Sequence, residues 1–303
     1  MTDPSGAQRC GFVAVVGPPN AGKSTLVNQL VGAKVSIVTH KVQTTRTRAR
    51  GIAIHGDSQI VFIDTPGIFT AKRRLERAMV QAAWAGVEDC DVVVLVHDAG
   101  RKNISDDTRQ VIAGLSEARS ELVLVLNKVD LVKREKLLQL AAELSEMANF
   151  SQVFMVSALT GDGVQDLMDY LAARMPEGPW HFPEDQLSDV SLRLLAAEIT
   201  REKLFLNLHQ ELPYALTVET ESWEDFKDGS VRIEQAVYVA REQHKAMCLG
   251  KGGKTIRMVR ETAQKEMEQA FEQPVHLFLF VKVRENWIND PERYRNLGLE
   301  FDA

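Results

Sequence analysis

The chain has 303 residues, of which 45% are apolar and 26% are charged, and its formal net charge is −6. This length exceeds that of one ordinary domain, so two domains are the simplest expectation. The negative net charge excludes a general polycation that binds any nucleic acid, and no apolar run approaches the roughly 20 residues that cross a bilayer.

The first ten residues, MTDPSGAQRC, lack the charged and apolar regions of a secretory signal. Cys10, Cys90 and Cys248 are scattered, without the spacing of a metal site or a disulfide framework. We therefore expect a cytoplasmic protein with reduced thiols. A peripheral position at the inner face of the cell membrane stays open at this point.

Short apolar runs rich in β-branched residues alternate with longer segments of helical apolar spacing in the first part of the chain. The runs predict buried strands at residues 12–16, 60–63, 92–96, 122–126 and 153–156. The segments between them predict helices near residues 24–32, 75–87, 105–118, 134–148 and 163–174. This alternation predicts an α/β fold with a mostly parallel sheet that helices cover on both faces.

A different pattern follows the segment MPEGPWHFPE at residues 175–184, whose prolines and glycine break the alternation. We expect a first domain over residues 1–178, a linker over 179–187 and a second domain over 188–303. In the second domain the pattern predicts a helix near 188–210, strands at 214–220 and 231–240, a short helix, the turn GKGG, a helix at 255–271 and a strand at 275–283. The order α-β-β-α-α-β predicts a smaller α+β domain.

A phosphate-binding loop is predicted directly after the first strand. Residues 17–24, GPPNAGKS, fit G-x-x-x-x-G-K-[ST] and open the first predicted helix. Backbone N–H groups and the helix N-terminus can surround phosphate oxygens, Lys23 can reach the β- and γ-phosphates, and the Ser24 hydroxyl can bind Mg²⁺. The predicted nucleotide-binding residues here are Gly17, Pro18, Pro19, Asn20, Ala21, Gly22, Lys23, Ser24 and Thr25.

Three further motifs follow later strands, at the strand ends where α/β sheets bind ligands. The sequence DTPG supplies Asp64 for Mg²⁺ and Gly67, whose N–H can meet the γ-phosphate. An aspartate carboxylate at Asp130 can pair with the N1–H and N2 amine of guanine, whereas adenine lacks both donors. The predicted nucleotide-binding residues in these motifs are Asp64, Thr65, Pro66, Gly67, Asn127, Lys128, Asp130, Ser157, Ala158 and Leu159.

The four motifs together resemble the P-loop GTPase family over residues of about 10–175. The resemblance implies that HKVQTTRT at residues 40–47 is switch I, in which Thr44 or Thr45 caps the γ-phosphate and Mg²⁺. It implies Lys23, Thr44, Thr45 and Gly67 as catalytic residues. Ile68 stands where many members carry the water-orienting glutamine, so we expect slow intrinsic hydrolysis. Asn20 resembles the asparagine of potassium-activated relatives, which implies a K⁺ ion at a position like that of an arginine finger and faster turnover in K⁺ than in Na⁺.

The second domain contains a basic island in an otherwise acidic region. Residues 182–303 carry 16 basic and 22 acidic side chains, yet residues 241–260 carry six basic side chains against Glu242 alone. Gly250-Lys-Gly-Gly253 within this island resembles the G-x-x-G loop of KH domains, which clamps about four nucleotides. We expect Ile256, Met258 and Val259 to pack in the core. The resemblance implies RNA-binding residues Arg241, Lys245, Gly250, Lys251, Gly252, Gly253, Lys254 and Arg257.

A P-loop GTPase domain, a proline-rich linker and a C-terminal type II KH domain together resemble the bacterial Era family. The segments LAAEITREKLF at 195–205 and HQELPY at 209–214 look similar to that family, as do Trp287, Asp290, Leu297 and Gly298. The resemblance implies a GTPase that binds 16S rRNA near its 3′ end and assists maturation and assembly of the small (30S) ribosomal subunit. It also implies control of RNA and ribosome binding by the GTP or GDP state, peripheral membrane association and a monomer.

Two other functions remain open on the sequence. The KH-like domain could mediate protein or membrane contacts instead of RNA binding, although the glycine loop favours RNA. An ATPase is disfavoured because Asp130 would be unpaired and desolvated against adenine.

Overall fold

The computed structural model describes residues 7–41, 44–46, 48–116, 118–208, 212–285, 287, 290–296 and 298–301. Some residues that carry the predictions above lie outside this part of the chain. They are Val42, Gln43 and Thr47 of the switch I segment, residues 209–211 of the Era-like segment, and Leu297 of the tail.

The chain forms two compact units, each built from more than one stretch of sequence. The first comprises Met1–Ser36, Thr45–Asp189 and Gly298–Ala303. The second comprises Ile37–Thr44 and Val190–Leu297. The chain therefore passes from one unit to the other at four places, and one of these lies between the two candidate switch I threonines.

A six-stranded sheet in the order β2-β3-β1-β4-β5-β6 forms the centre of the first unit. β2 pairs antiparallel with β3, and the other neighbours are parallel. The fold class predicted from the alternation is confirmed. The strands are β1 (Arg9–Val16), β2 (Ala49–His55), β3 (Ser58–Asp64), β4 (Val92–Asp98), β5 (Glu121–Asn127) and β6 (Gln152–Val156).

Helices pack against both faces of this sheet because its strands are apolar on both sides. One core cluster joins the sheet to α1 and α5 through Leu26 and Leu167, and the other joins it to α3 and α4 through Val111 and Leu140. The helices are α1 (Lys23–Val31), α2 (Arg74–Ala85), α3 (Asp106–Leu115), α4 (Arg134–Ser145) and α5 (Val164–Ala172).

Strand β2 was missed by the sequence analysis. Its sequence, ARGIAIH, has only a short apolar stretch and an internal glycine. The signal lay in the turn after it, since Gly56 with φ 58° and Asp57 join β2 to β3 as a two-residue hairpin connection. The predicted linker residues 179–187 lie beside these strands, where Ile52 N donates to Leu187 O at 2.9 Å.

The second unit contains a three-stranded sheet in the order β7-β8-β9, with β7 antiparallel and β9 parallel to β8. Two core clusters contain buried residues of both the helices and the sheet, such as Phe205 and Val237 in one and Met267 and Leu277 in the other. Its elements are α6 (Leu192–Asn207), β7 (Leu216–Asp225), β8 (Val231–Val239), α7 (Glu242–Leu249), α8 (Lys254–Phe271), β9 (Val275–Val283) and α9 (Pro291–Asn296).

The predicted order α-β-β-α-α-β is present, and α9 adds a short helix that the sequence analysis did not predict. Among the described residues, no helix combines the length and apolar character that crossing a membrane requires.

Candidate nucleotide site and nucleic-acid interface

The phosphate-binding loop follows β1 and ends at α1, as its motif predicts. Gly17 has φ 148°, and a Cβ there would lie 2.4 Å from the backbone oxygen of Val96, so no side chain fits. Asn20 adopts φ 64° although it is not glycine. This left-handed backbone is uncommon for a residue with a side chain, and asparagine is among those that tolerate it. The loop is therefore held in a specific and partly strained shape.

Lys23 is the first residue of α1 and is buried, with 6% of its surface exposed. Its Nζ donates to the carbonyl oxygens of Gly17 and Pro18, each at 3.0 Å. Burial lowers the pKa of Lys23 to about 8, partly opposed by the charge of Asp64 and reinforced by that of Arg101. The ammonium therefore sits inside the loop, where a phosphate would replace carbonyl oxygens as its partner.

Three oxygen-bearing side chains meet at the start of α1. Ser24 Oγ lies 2.8 Å from Thr45 Oγ1 and donates to Asp64 Oδ2 at 2.7 Å. Asp64 is fully buried, and its Oδ1 has no hydrogen-bond partner among the described residues. Burial raises the pKa of Asp64, against the Ser24 hydrogen bond and the charge of Lys23. A hard cation with oxygen ligands, such as Mg²⁺, fits this donor set and would satisfy the buried carboxylate oxygen.

The two switch I threonines have different surroundings. Thr45 belongs to the first unit and contacts Ser24, whereas Thr44 belongs to the second unit. The hydroxyl of Thr44 lies 2.6 Å from that of Thr39 and donates to Lys41 O at 2.7 Å. The structure therefore brings the Thr45 hydroxyl to the candidate Mg²⁺ ligand Ser24.

The DTPG segment lies against the phosphate-binding loop. A Cβ on Gly67 would lie 3.0 Å from three atoms of Pro19, so the two segments are in close contact there. Ile68 donates its N–H to Gly17 O at 3.2 Å, and its side chain is fully buried in the core on that face of the sheet. The position that carries glutamine in many GTPases therefore points into apolar packing in this chain.

Asn127 at the end of β5 connects three of the motifs. Its Nδ2 donates to Ala21 O at 2.9 Å, and its Oδ1 accepts from Lys128 N at 2.8 Å and Ala158 N at 3.0 Å. Gly22 has φ 95°, and a Cβ there would lie 2.2 Å from Asn127 Nδ2. The asparagine side chain, 2% exposed, therefore fastens the phosphate-binding loop to residues 127–130 and 157–159.

Asp130 is exposed at the edge of the same site, in the short 3₁₀ turn Val129–Leu131. In the last motif, Ser157 N donates to Asp162 O at 2.9 Å, and Leu159 has a side chain that is 79% exposed. A cavity of about 530 Å³ opens between α1 and this motif, lined by Thr25, Asn28, Gln29, Gly32, Ala33, Lys34, Ala158 and Leu159.

Two residues near the site were not singled out by any motif. Asp98 Oδ2 accepts from Lys128 Nζ at 2.7 Å, and Lys128 Nζ also donates to Asn20 O at 2.8 Å. Arg101 Nη2 donates to Pro19 O at 2.9 Å. A usable signal existed, because Asp98 ends a parallel strand next to β1 and β5, and such strand ends carry functional residues.

The glycine loop of the second unit joins α7 to α8 through a short 3₁₀ turn at Lys251–Gly253. Gly250 has φ 71°, and a Cβ there would lie 2.2 Å from Thr255 Oγ1. Gly252 has φ 62°, yet a Cβ there would meet no atom within 4 Å. The loop is thus compact on its inner side and open on its outer side, where a phosphate backbone can approach.

Basic side chains surround this loop. Arg241, Lys251, Lys254 and Arg257 are exposed, and Lys245 is half-buried. The expectation that Met258 packs in the core is wrong, since Met258 is 44% exposed, whereas Val259 is fully buried. The cause is helix geometry: Val259, Ala263 and Met267 repeat every four residues along the buried face of α8, and Met258 lies about 100° around the helix from it.

Family models match both parts of the chain. A family model described as a 50S ribosome-binding GTPase matches residues 12–128, and a KH-domain model matches residues 211–288. The GTPase Era of Rhizobium meliloti (strain 1021) is 62% identical over 293 residues, which cover 97% of this chain and 93% of that protein. The GTPase Era of Brucella suis biovar 1 is 57% identical over 306 residues, covering 99% and 98%.

The chain belongs to the Era family of GTPases. Two solved Era structures are similar to it across both units. A crystal structure of Era with MgGDPNP and nucleotides 1506–1542 of 16S ribosomal RNA has a TM-score of 0.91 at 33% identity and covers 96% of this chain and 99% of that one. An Aquifex aeolicus Era variant bound to GDP·AlF₄⁻ has a TM-score of 0.91 at 34% identity, with coverage of 96% and 99%.

Membership of the Era family confirms three predictions from the sequence. The chain is a GTP hydrolase, its first unit has the P-loop GTPase fold, and its second unit contains a KH domain. The roles of individual residues and the domain boundaries at 178 and 188 remain predictions.

Proposed function

We propose that this Era-family chain is a GTP-driven switch that binds 16S rRNA through its KH domain and assists maturation of the small ribosomal subunit. The observation that carries the proposal is the similarity of the whole chain to an Era structure that contains both MgGDPNP and the 1506–1542 segment of 16S rRNA. Small ribosomal subunits mature in the bacterial cytoplasm, so we place the protein there.

In this proposal the residues of the first unit have separate roles in binding GTP. Lys23 and the backbone N–H groups of the loop bind phosphates. The carboxylate of Asp130 selects guanine because it accepts hydrogen bonds from the N1–H and the N2 amine of that base. Ser24, Thr45 and Asp64 hold Mg²⁺, which supplies positive charge to the phosphate oxygens when it is bound. Of the two switch I threonines, Thr45 takes this role because it lies 2.8 Å from Ser24 Oγ.

Asn20 supports a further cation in the proposal. It resembles the asparagine of potassium-activated GTPases. Its backbone is left-handed, with φ 64°, which is uncommon for a residue other than glycine. We expect faster single-turnover hydrolysis in K⁺ than in Na⁺ at equal ionic strength. Equal rates in the two salts would remove K⁺ from the proposal without affecting GTP binding.

Coupling between GTP and RNA needs a structural element that responds to the nucleotide. The chain supplies one, since Ile37–Thr44 belong to the KH-containing unit and Thr45 belongs to the nucleotide-binding unit. A nucleotide that moves Thr45 therefore acts through one peptide bond on a segment that is packed in the other unit.

Helix α6 holds that segment by several contacts within the second unit. Val38 N donates to Glu202 Oε1 at 2.7 Å, and Glu202 is 3% exposed. Lys41 Nζ donates to two carbonyl oxygens at the C-terminal end of α6. Arg201, which is 1% exposed, donates to the carbonyl of Thr44 and pairs with Glu198. Breaking one of these contacts would leave a buried charge without its partner, which is strongly destabilising. We therefore expect residues 37–44 and α6 to move together.

The test is binding of a 16S rRNA fragment that spans the 3′ segment, measured for the full chain with a non-hydrolysable GTP analogue and with GDP. We expect tighter binding in one nucleotide state. The variant Lys251→Asp/Gly252→Asp should weaken binding by at least about tenfold, because it places two carboxylates where phosphates approach. At position 252 a Cβ meets no atom within 4 Å. The backbone there is left-handed, with φ 62°, and aspartate is one of the few residues that tolerate this conformation.

The control is Lys265→Asp, a charge reversal of an exposed lysine on α8, about 16 Å along the helix from its first residue. It should change the dissociation constant of the RNA complex by no more than about twofold, because the charge lies far from the loop. Unchanged RNA binding by the loop variant would refute the RNA role and favour a protein or membrane contact. Equal RNA affinity in both nucleotide states would refute the switch while leaving the GTPase.

A further inference from the structure

The last residue of β4 makes hydrogen bonds in two directions. Asp98 Oδ1 accepts from Gly100 N at 2.9 Å, and Asp98 Oδ2 accepts from Lys128 Nζ at 2.7 Å. The Asp98 side chain is only 13% exposed. One carboxylate oxygen therefore shapes the turn at residues 98–101, and the other holds the lysine of the guanine-reading motif.

Lys128 is fixed at both ends by this arrangement. Its backbone is left-handed, with φ 65°, directly after Asn127. Its Nζ is shared between Asp98 and the carbonyl oxygen of Asn20, at 2.7 and 2.8 Å. A lysine side chain has several rotatable bonds and loses considerable freedom when ordered. The carboxylate of Asp98 supplies the charged partner that keeps the lysine in one conformation.

The same turn also positions a second cation. Arg101 N donates to Asp98 O at 3.2 Å, and Arg101 Nη2 donates to Pro19 O at 2.9 Å. Two consecutive carbonyls of the phosphate-binding loop, those of Pro19 and Asn20, therefore accept hydrogen bonds from Arg101 and Lys128. These bonds flank the residue whose left-handed backbone is strained, so they hold the loop in the shape that surrounds phosphates.

We propose that Asp98 is a positioning residue of the guanine-nucleotide site, which aims Lys128 and, through the 98–101 turn and Arg101, fixes the Pro19–Asn20 peptide. Asp98 acts through these two cations and does not itself contact the nucleotide. The proposal rests on the guanine-nucleotide site described above and adds to it a residue that none of the four motifs contains.

The test is a double-mutant cycle on GDP binding by the full chain. Asp98→Asn keeps the shape of the side chain but replaces one carboxylate oxygen by an NH₂ group. In either orientation of the amide, this group faces one of the two donors, Gly100 N or Lys128 Nζ. We expect Asp98→Asn to raise the dissociation constant of GDP by about tenfold, since a hydrogen bond to a charged group is lost. In a chain that already carries Lys128→Ala, adding Asp98→Asn should weaken GDP binding by less than about twofold. The ammonium that Asp98 holds is then absent.

The control is Asp89→Asn, which changes an exposed carboxylate just before the same strand. It should leave GDP binding unchanged. Asp98→Glu, which retains the charge but displaces it by one methylene, repeats the cycle if the asparagine variant does not fold. Its loss of affinity should also vanish in the Lys128→Ala background.

Two outcomes would overturn the proposal. One is a GDP affinity of Asp98→Asn equal to that of the unmodified chain. The other is the same fold-loss in the presence and absence of the Lys128 side chain, which would indicate a general structural effect. Failure of the unmodified chain to bind GDP would instead contradict the guanine-nucleotide site itself, so the two failures are distinguishable.

Discussion

Replacement of Asn127 by alanine tests whether this side chain stabilises the fold of the first unit as well as the bound nucleotide. The sequence motif presents this residue as part of guanine recognition. In the structure its side chain is 2% exposed and bonds to three backbone groups, Ala21 O, Lys128 N and Ala158 N. Asn127→Ala should therefore destabilise the nucleotide-free protein in addition to weakening GDP binding.

The magnitude follows from the groups left without partners. Ala21 and Ala158 are buried, at 0% and 3% exposure, and each unsatisfied backbone group there costs about 1–3 kcal/mol. Two such groups give a loss of about 4 kcal/mol in the free energy of unfolding, a large share of the 5–15 kcal/mol that is typical of domains. At a urea dependence of about 2 kcal/mol per molar, the unfolding midpoint should fall by about 2 M.

The assay is urea unfolding of the nucleotide-free chain, with hydrogen exchange of β1 and β5 to assign the transition to the first unit. The matched control is Asp130→Ala, which removes an exposed carboxylate of the same motif. This control should lose guanine binding and keep the urea midpoint. A midpoint of Asn127→Ala within about 0.3 M of the unmodified chain would refute the reasoning, because it would show that the asparagine serves the nucleotide and not the protein.

Other consequences concern three further residues. The pKa of Lys23 is about 8, against 10.5 as its ordinary value, so the unfolded chain binds more protons between these pH values and the nucleotide-free fold gains stability as pH rises through them. Phosphates favour the charged lysine, so GDP affinity should fall as pH rises past 8, with proton uptake detected by calorimetry in two buffers. Ile68→Gln should not accelerate hydrolysis and should destabilise the first unit by about 3 kcal/mol, because the amide is buried in apolar packing. Glu202→Ala should reduce the ratio of RNA affinities in the GTP and GDP states by up to about tenfold, since it frees Val38 N–H from α6.

Two of these expectations have a control variant, and the third has a result that would contradict it. Lys23→Arg remains charged over the whole pH range, so a fall of its GDP affinity near pH 8 would show that another group titrates. Faster single-turnover hydrolysis by Ile68→Gln would show that position 68 can face the nucleotide. Glu261→Ala, at an exposed position on α8, should not change the affinity ratio, and an unchanged ratio in Glu202→Ala would disprove the role of α6.

Local patterns were sufficient for much of the fold. Runs such as VVVLV and LVLVL are apolar on both faces, so they predicted buried parallel strands without knowledge of their neighbours. Strand β2 escaped because an edge strand paired on one side carries a weaker apolar pattern, and its best signal was the Gly56-Asp57 turn. Met258 was assigned to the core because apolar character alone does not tell which face of a helix a residue occupies.

The sequence by itself determined the predicted chemistry: a glycine loop with a lysine, an aspartate predicted to select guanine and a second glycine loop among basic residues are local motifs, and short-range backbone geometry dictates them. Only the tertiary structure decided which threonine faces Ser24, that Asn127 fastens the loop to Ala158, and that Asp98 holds Lys128. The hydrogen bonds behind these pairings join residues 21 to 106 positions apart. Such contacts depend on how the strands are ordered in the sheet, which no local window of sequence contains.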